Sequence, residues 1–292
     1  MSSFTTRLRA WLLIAGLSGL LIAIGAAIGG GALWLFVVLT VAFNAAMYWF
    51  SDRIALRLSR ARPVPEGEAP RLREDVQELA ARAGIPMPRL FLIDAEQPNA
   101  FATGRNPSHS AVAVTRGLLE RLPREQVRGV LAHELAHIAN RDVLVTTVAA
   151  VIAGAISAIV NWLQFSLIFG GGDDEESPLG LLGTLGMIIL APLAAMLLQL
   201  AVSRQREYLA DATGARFLGE GRPLADALET IHARVKAAPM NVNPATASLY
   251  IANPLSGGGM VHLFSTHPPM EERVRRLREL DRQLAGRLSF AI

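Results

Sequence analysis

The chain has 292 residues, 51% of them hydrophobic and 18% charged, with 28 Lys and Arg against 25 Asp and Glu and a formal net charge of +3. Its mean hydropathy of +0.34 is high for a purely soluble protein, and its basic residues flank apolar runs instead of forming a stripe interleaved with aromatics, which argues against nucleic-acid binding. The absence of cysteine excludes disulfides, thiolate metal sites and a cysteine nucleophile, leaving His and carboxylates as metal ligands.

In chain order, residues 10–51 carry no charge. A bilayer core takes about 20 apolar residues per helix, so two spans fit, near 11–28 and 32–50, broken by Gly29, Gly30 and Gly31. A cleavable leader is the alternative for the first, disfavoured by its length and by the span that follows directly. A polar block, 52–142, comes next. Within it PRLREDVQELAARAGI predicts an amphipathic helix with Leu72, Val76, Leu79 and Ala80 on one face. PRLFLID and SAVAVTRG predict short strands, and QPNAFATGRNPSHS reads as a loop. PREQVRGVLAHELAHIAN predicts a helix opened by Pro123.

Residues 143–172 and 178–203 again lack charge and are divided by an acidic loop, DDEES. Each is long enough to cross, although Asn161, Gln164 and Gln199 leave open buried or partly inserted helices. The last block, 204–292, opens with a helix, REYLADATGARFLG, stopped by Gly219. DALETIHARVKAA, a Pro- and Gly-rich stretch at 239–269 and a charged terminal helix follow, without internal repeats. Arg7 and Arg9 precede the first span, Arg53, Arg57, Arg60 and Arg62 follow the second, and Arg204 and Arg206 follow the fourth. The connecting loops hold no basic residue, so the positive-inside rule places both termini and the polar blocks in the cytoplasm.

Chemistry concentrates in GVLAHELAHIANRD. On a helix His133 and His137 stand one turn apart on one face and can share a metal ion, with Glu134 beside them to reach a bound water. A chance match on a solvated face is the alternative. The flanks Val130, Leu131, Ala132, Leu135, Ala136, Ile138 and Ala139 are apolar, so the helix is buried, and buried imidazoles and carboxylates need partners or a metal. A continuation HxxGxxH is absent, because Asn140 and Val143 stand at its glycine and histidine positions. The third ligand read here is Glu207 of SRQREYLADATG, with Asp211 one turn on to accept an N–H from a liganding histidine. A pair salt-bridged to Arg204, Arg206 or Arg216 is the alternative for these two carboxylates. Two antiparallel spans would return the chain to one membrane face and bring Glu207 to the histidines.

HELAHIANRD, the apolar pair after it and SRQREYLADA closely resemble the HtpX heat-shock membrane metalloproteases, relatives of the CAAX prenyl proteases. The resemblance extends to NAFATG, MNVNPATASLYIANPL and FSTHPPMEERVRRL and covers nearly the whole chain. It implies a zinc endopeptidase of the gluzincin type acting in membrane-protein quality control, with one Zn2+ held by His133, His137 and Glu207. The expected architecture is mainly α with a small β-sheet: a four-helix integral membrane protein carrying a cytoplasmic zincin-like metalloprotease domain. Its parts would be a transmembrane hairpin at 1–51, a protease part at 52–142, a second transmembrane or membrane-embedded hairpin at 143–203 and a second protease part at 204–292.

On this view Glu134 is the general base, Asp211 and Asn140 support the ligands, and His267, Tyr208 or Arg204 stabilises the oxyanion. A capping role at the final helix is the alternative for His267. The strand 111–115, with NAFATG before it, is read as an exposed edge that pairs with substrate main chain, through Asn99, Ala100, Phe101, Ala111 and Val112. An ordinary internal strand is the alternative. The stretch 239–263 is read as a lid or a self-cleavage site. Expected partners are polypeptide substrates, chiefly membrane proteins, and the lipid bilayer, with no nucleic acid. The expected location is the bacterial inner membrane with the site on the cytoplasmic side. Competing readings are a zinc-stabilised scaffold without catalysis, an intramembrane protease and a transporter. Arg121, Arg124, Glu125 and Arg128 lie too close to HExxH for the second, and the spans lack the paired ionisable residues expected of the third.

Overall fold

The computed structural model describes residues 31–152, 204–237, 244–254 and 268–289, with single positions at 15, 18, 19, 22, 26 and 240. The first apolar span and most of 143–203 lie outside them, so the four-span arrangement is not described. Helix α1 (Ala32–Leu58) is long and apolar enough to cross a membrane, and most of its apolar stretch is not buried against the rest of the described structure. Trp34, Leu35, Val38, Val41, Trp49 and Phe50 all project outward from it. The helix runs past the expected hairpin boundary at Ser51. Its last turns bury Ser51, Ala55 and Leu56 against the sheet, which fixes the apolar rod to the rest of the protein.

The sheet contains β1 (Arg62–Pro63), β2 (Arg89–Ile93), β3 (Ala100–Asn106) and β4 (His109–Thr115), in the order β1-β2-β4-β3. β2 and β4 are parallel, and the two outer pairs are antiparallel. Strand alternation divides the apolar residues between two faces. Leu90, Leu92, Ala100, Ala102, Val112 and Val114 join the main core with α2 (Pro70–Ala83) and α4 (Arg124–Asn140). Ile93, Phe101, Ala111 and Ala113 form a smaller core with Leu56 of α1 and Tyr250.

Two expectations need correction here. NAFATG is not a loop: its Pro, Gly and Asn neighbours sit at the strand's ends and at the irregularity between Gly104 and Asn106, while Ala100 to Thr103 alternate as a strand does. Residues 111–115 are not an edge, because β2 and β3 pair with β4 on both sides, as suits a strand apolar on both faces. The edge is β3.

After β4, Thr115 caps α3 (Arg116–Arg121) by accepting from Leu118 N at 3.2 Å. Further helices are α5 (Val143–Ile152), which leaves α4 at a 94° bend, α6 (Arg204–Leu218), α7 (Arg222–Ala237), α8 (Pro244–Ala247) and α9 (Met270–Ser289). Two glycines allow α4 to be closely embraced. A Cβ on Gly129 would lie 2.6 Å from Leu224 N of α7, and one on Gly214 of α6 would lie 2.9 Å from Ala132 C and His133 N. Asp75 of α2, almost wholly buried, accepts from Arg124 and Arg128 and fixes the outer end of α4.

Candidate active site

The site is built where α6 crosses α4. Because Gly214 has no side chain, the two backbones touch at His133, and the residues one and two turns earlier on α6, Asp211 and Glu207, face the histidines. His133 Nε2 lies 3.1 Å from His137 Nε2, with the rings perpendicular and their centroids 4.7 Å apart. Glu207 Oε2 is 3.7 Å from His133 Nε2, and its Oε1 is 3.6 Å from His137 Nε2. One atom from each of the three residues lies within 4.8 Å of the other two.

Behind each imidazole stands a carboxylate. Asp211 Oδ1 is 2.9 Å from His133 Nδ1. Asp142 Oδ1 and Oδ2 are 3.1 and 3.2 Å from His137 Nδ1. When Nδ1–H donates to these acceptors, each Nε2 carries a lone pair directed at the same small space. Two such nitrogens 3.1 Å apart repel unless a proton or cation lies between them, and two imidazoles with a carboxylate make a donor set suited to zinc. The residues present fit a metal.

Helix termination places Asp142. Arg141 adopts a left-handed conformation (φ 58°), and the N–H groups of Arg141 and Asp142 close the last turn onto Ile138 O and His137 O. That turn returns the chain to His137 before α5 departs. Asn140, the other residue expected to support the ligands, does not take this position: its Nδ2 is buried with no hydrogen-bond partner among the described residues.

Burial sets the electrostatics. It pushes the Glu134 carboxyl up to about 7, with Glu207 adding to the rise, against the opposing pull of His137 and of a hydrogen bond to the Ala102 backbone. Burial lowers His133, against Asp211. Burial also disfavours charge on His137, but Asp142, Glu207 and Glu134 together outweigh it and raise that imidazole to about 10. Asp211 is buried too, yet the Arg273 guanidinium holds it below the usual carboxylate range.

The β3 edge lies against this cluster. Thr115 N donates to Asn99 O, so the groups of Asn99 turn toward β4 and those of Ala100 and Ala102 turn outward. At Ala100 the outer side is covered, since Ile251 N donates to Ala100 O at 3.0 Å. At Ala102 the backbone meets Glu134.

The residues expected to bind substrate are thus placed otherwise. Asn99 is buried and holds Ala252 O through Nδ2 at 2.8 Å. Phe101 is buried edge-on against Tyr250, with centroids 5.1 Å apart. Ala111 and Val112 sit in the interior strand. Of the oxyanion candidates, Tyr208 lies half-buried with the Arg276 guanidinium 4.0 Å over its ring, Arg204 is exposed, and His267 is outside the described residues, as is most of 239–263.

Asp142 and Arg273 enter the site without having been singled out from the sequence. The signal for Asp142 is the helix-stop position, two residues past the end of α4. Arg273 has none, because its helix carries many arginines on exposed faces.

The model of a family described as Peptidase family M48 matches residues 66–281. A protease HtpX homolog of Pelotomaculum thermopropionicum is 53% identical over 274 residues, 92% of this chain and 97% of that protein. Homologs from Aquifex aeolicus and Pyrococcus furiosus are 53% and 50% identical, over 91% and 93% of this chain and 90% and 95% of their own lengths. The crystal structure of S. mikatae Ste24p shares the fold, with a TM-score of 0.50 and 22% identity over 94% of this chain and 66% of that one.

Proposed function

Because the chain belongs to peptidase family M48 and is a membrane-associated metalloprotease of the HtpX type, we propose that it is a zinc-dependent endopeptidase of the cytoplasmic membrane that cuts misfolded or damaged membrane proteins. The observation that carries this reading is the convergence of His133, His137 and Glu207 around Glu134, with the strand edge alongside. Zinc held by those three residues would polarise a scissile carbonyl and make water a better nucleophile at neutral pH.

The remaining work falls to the chain's own groups. Glu134, buried and with its affinity for protons raised to about 7, is suited to take a proton from the attacking water and pass it to the leaving amine. The Ala102 backbone fixes its carboxylate. A peptide laid along β3 beyond the covered position at Ala100 would, through main-chain pairing, bring a scissile amide beside the water that Glu134 deprotonates. Such pairing reads few side chains and suits a permissive protease.

Membrane placement is supported by the outward-facing apolar surface of α1. The positive-inside pattern supports a site on the cytoplasmic side. Arg124 and Arg128 pair with the solvent-exposed Glu74 and Glu78, which supports keeping the outer end of α4 in water and speaks against cleavage within the bilayer.

The test is zinc content and hydrolysis of an unfolded membrane protein by the purified full chain. Glu134→Gln should keep zinc and lose at least ~100-fold in rate, and Glu207→Ala should lose zinc. A Glu134→Gln variant as active as wild type would reject the catalytic assignment and leave a metal-stabilised scaffold.

A further inference from the structure

Arg273, on the first turn of α9, is 0% exposed, an unusual state for a guanidinium. Its fork closes on one carboxylate: Nε donates to Asp211 Oδ2 at 2.9 Å and Nη2 to Asp211 Oδ1 at 2.7 Å. Nη1 donates to Ile251 O at 3.1 Å and stands 3.8 Å from Glu207 Oε2. Nη2 also approaches both ring nitrogens of His133 at 3.5 Å. One buried cation therefore contacts the carboxylate behind the first histidine, the carboxylate of the third ligand, and the segment that covers the β3 edge at Ala100.

We infer that Arg273 is a positioning residue for metal binding, acting through Asp211. A bidentate fork fixes both the position and the rotation of a carboxylate, which a lone ammonium does not. With Asp211 so held, Oδ1 stays 2.9 Å from His133 Nδ1, and the imidazole keeps the tautomer that directs Nε2 at the metal. The positive charge also offsets two buried carboxylates that would otherwise repel each other across His133. Through Ile251, the same side chain ties the ligand cluster to the start of the substrate edge.

This inference rests on the zinc-site reading, and the experiment separates the two. Zinc affinity is measured at fixed pH by competition with a chromophoric chelator, on the full chain in detergent, beside the thermal unfolding of the metal-free protein. Arg273→Met should bind zinc tenfold to 100-fold more weakly. Asp211→Asn should do the same, and the double variant should be no weaker than the weaker single one, because both changes break one relay. Arg273→Lys, which keeps the charge but not the fork, should fall between Met and wild type. A merely structural arginine would lower metal-free stability and leave affinity unchanged, and that result overturns the proposal. So do losses that multiply in the double variant. If Arg273→Met does not fold, Arg273→Lys decides: weakened affinity supports the proposal and wild-type affinity overturns it. Wild-type protein that binds no zinc, or His133→Ala that binds it normally, removes the zinc site itself. Loss of zinc in His133→Ala with normal affinity in Arg273→Met removes only this inference.

Discussion

His137 Nδ1 lies 3.1 Å from Asp142 Oδ1 across the turn that ends α4, so the turn that stops the helix also places the carboxylate that orients a histidine of the candidate metal cluster. Asp142→Ala should free the ring to rotate and lower zinc affinity roughly tenfold to 100-fold. Chelator competition at pH 7 measures the loss. Asp142→Asn, which can still accept a hydrogen bond, should fall between. Unchanged affinity in the Ala variant would show that the imidazole is held by packing alone.

Gly214 makes a different demand. A methyl group there would meet the α4 backbone at Ala132 and His133, and backbone cannot yield as a side-chain tip can. Gly214→Ala should destabilise the protein by about 1–3 kcal/mol and displace Glu207 and Asp211 from the histidines, with reduced zinc content at equal zinc concentration. Gly286→Ala in α9 is the control, since nothing among the described residues lies within 4 Å of its new Cβ. It should be neutral or gain up to about 1 kcal/mol from helix propensity. Thermal melts and metal analysis of the two variants check the contrast, and a Gly214→Ala protein indistinguishable from wild type would mean that the helices can part freely.

The contrast between these glycines also shows what a sequence can and cannot disclose. HExxH is legible because its information is local: a four-residue step on one helix needs no knowledge of the fold. The partnership with Glu207 could be suspected because both segments adjoin apolar runs. The strand β3 was hidden by residues that punctuate its ends, since Pro98, Gly104, Asn106 and Pro107 surround only a short alternating stretch. That β3 and not β4 became an edge depended on pairing order, a property of three segments at once. Arg273 was hidden more thoroughly, because Arg275, Arg276 and Arg278 on the same helix pair with nearby acids at the surface, and only packing against α6 distinguishes the buried one.

Under the proposed mechanism Glu134 should govern the acid side of the rate profile. An ordinary glutamate titrates near 4.5, whereas burial raises this one to about 7. As a base it must be ionised, so kcat/KM should fall with decreasing pH along a limb of unit slope. Bound zinc, being positive, draws the midpoint below the metal-free value, to between about 5 and 7. Initial rates on an unstructured peptide across pH 4.5–8, with zinc saturating, locate it. A midpoint at or below 4.5 would show that burial does not set the basicity of Glu134 during turnover.

His137 gives zinc binding its own pH dependence. In the metal-free protein its pKa is raised to about 10 because Asp142 and the neighbouring carboxylates outweigh burial. A raised histidine stabilises the fold fully below its unfolded pKa of about 6.5, and that contribution is lost as pH rises through about 10. The metal requires the opposite form, since Nε2 can ligate only after the ring gives up a proton. Binding at neutral pH should therefore release one proton from His137, and the logarithm of zinc affinity should climb by about one per pH unit from pH 7 to 9 before levelling near 10. Calorimetry in buffers of different ionisation enthalpy counts the proton. Asp142→Ala should flatten the climb by returning the imidazole toward its ordinary value, even as it weakens binding. Affinity independent of pH in the wild-type protein would mean that His137 is already neutral, and that the carboxylate behind it orients the ring without charging it.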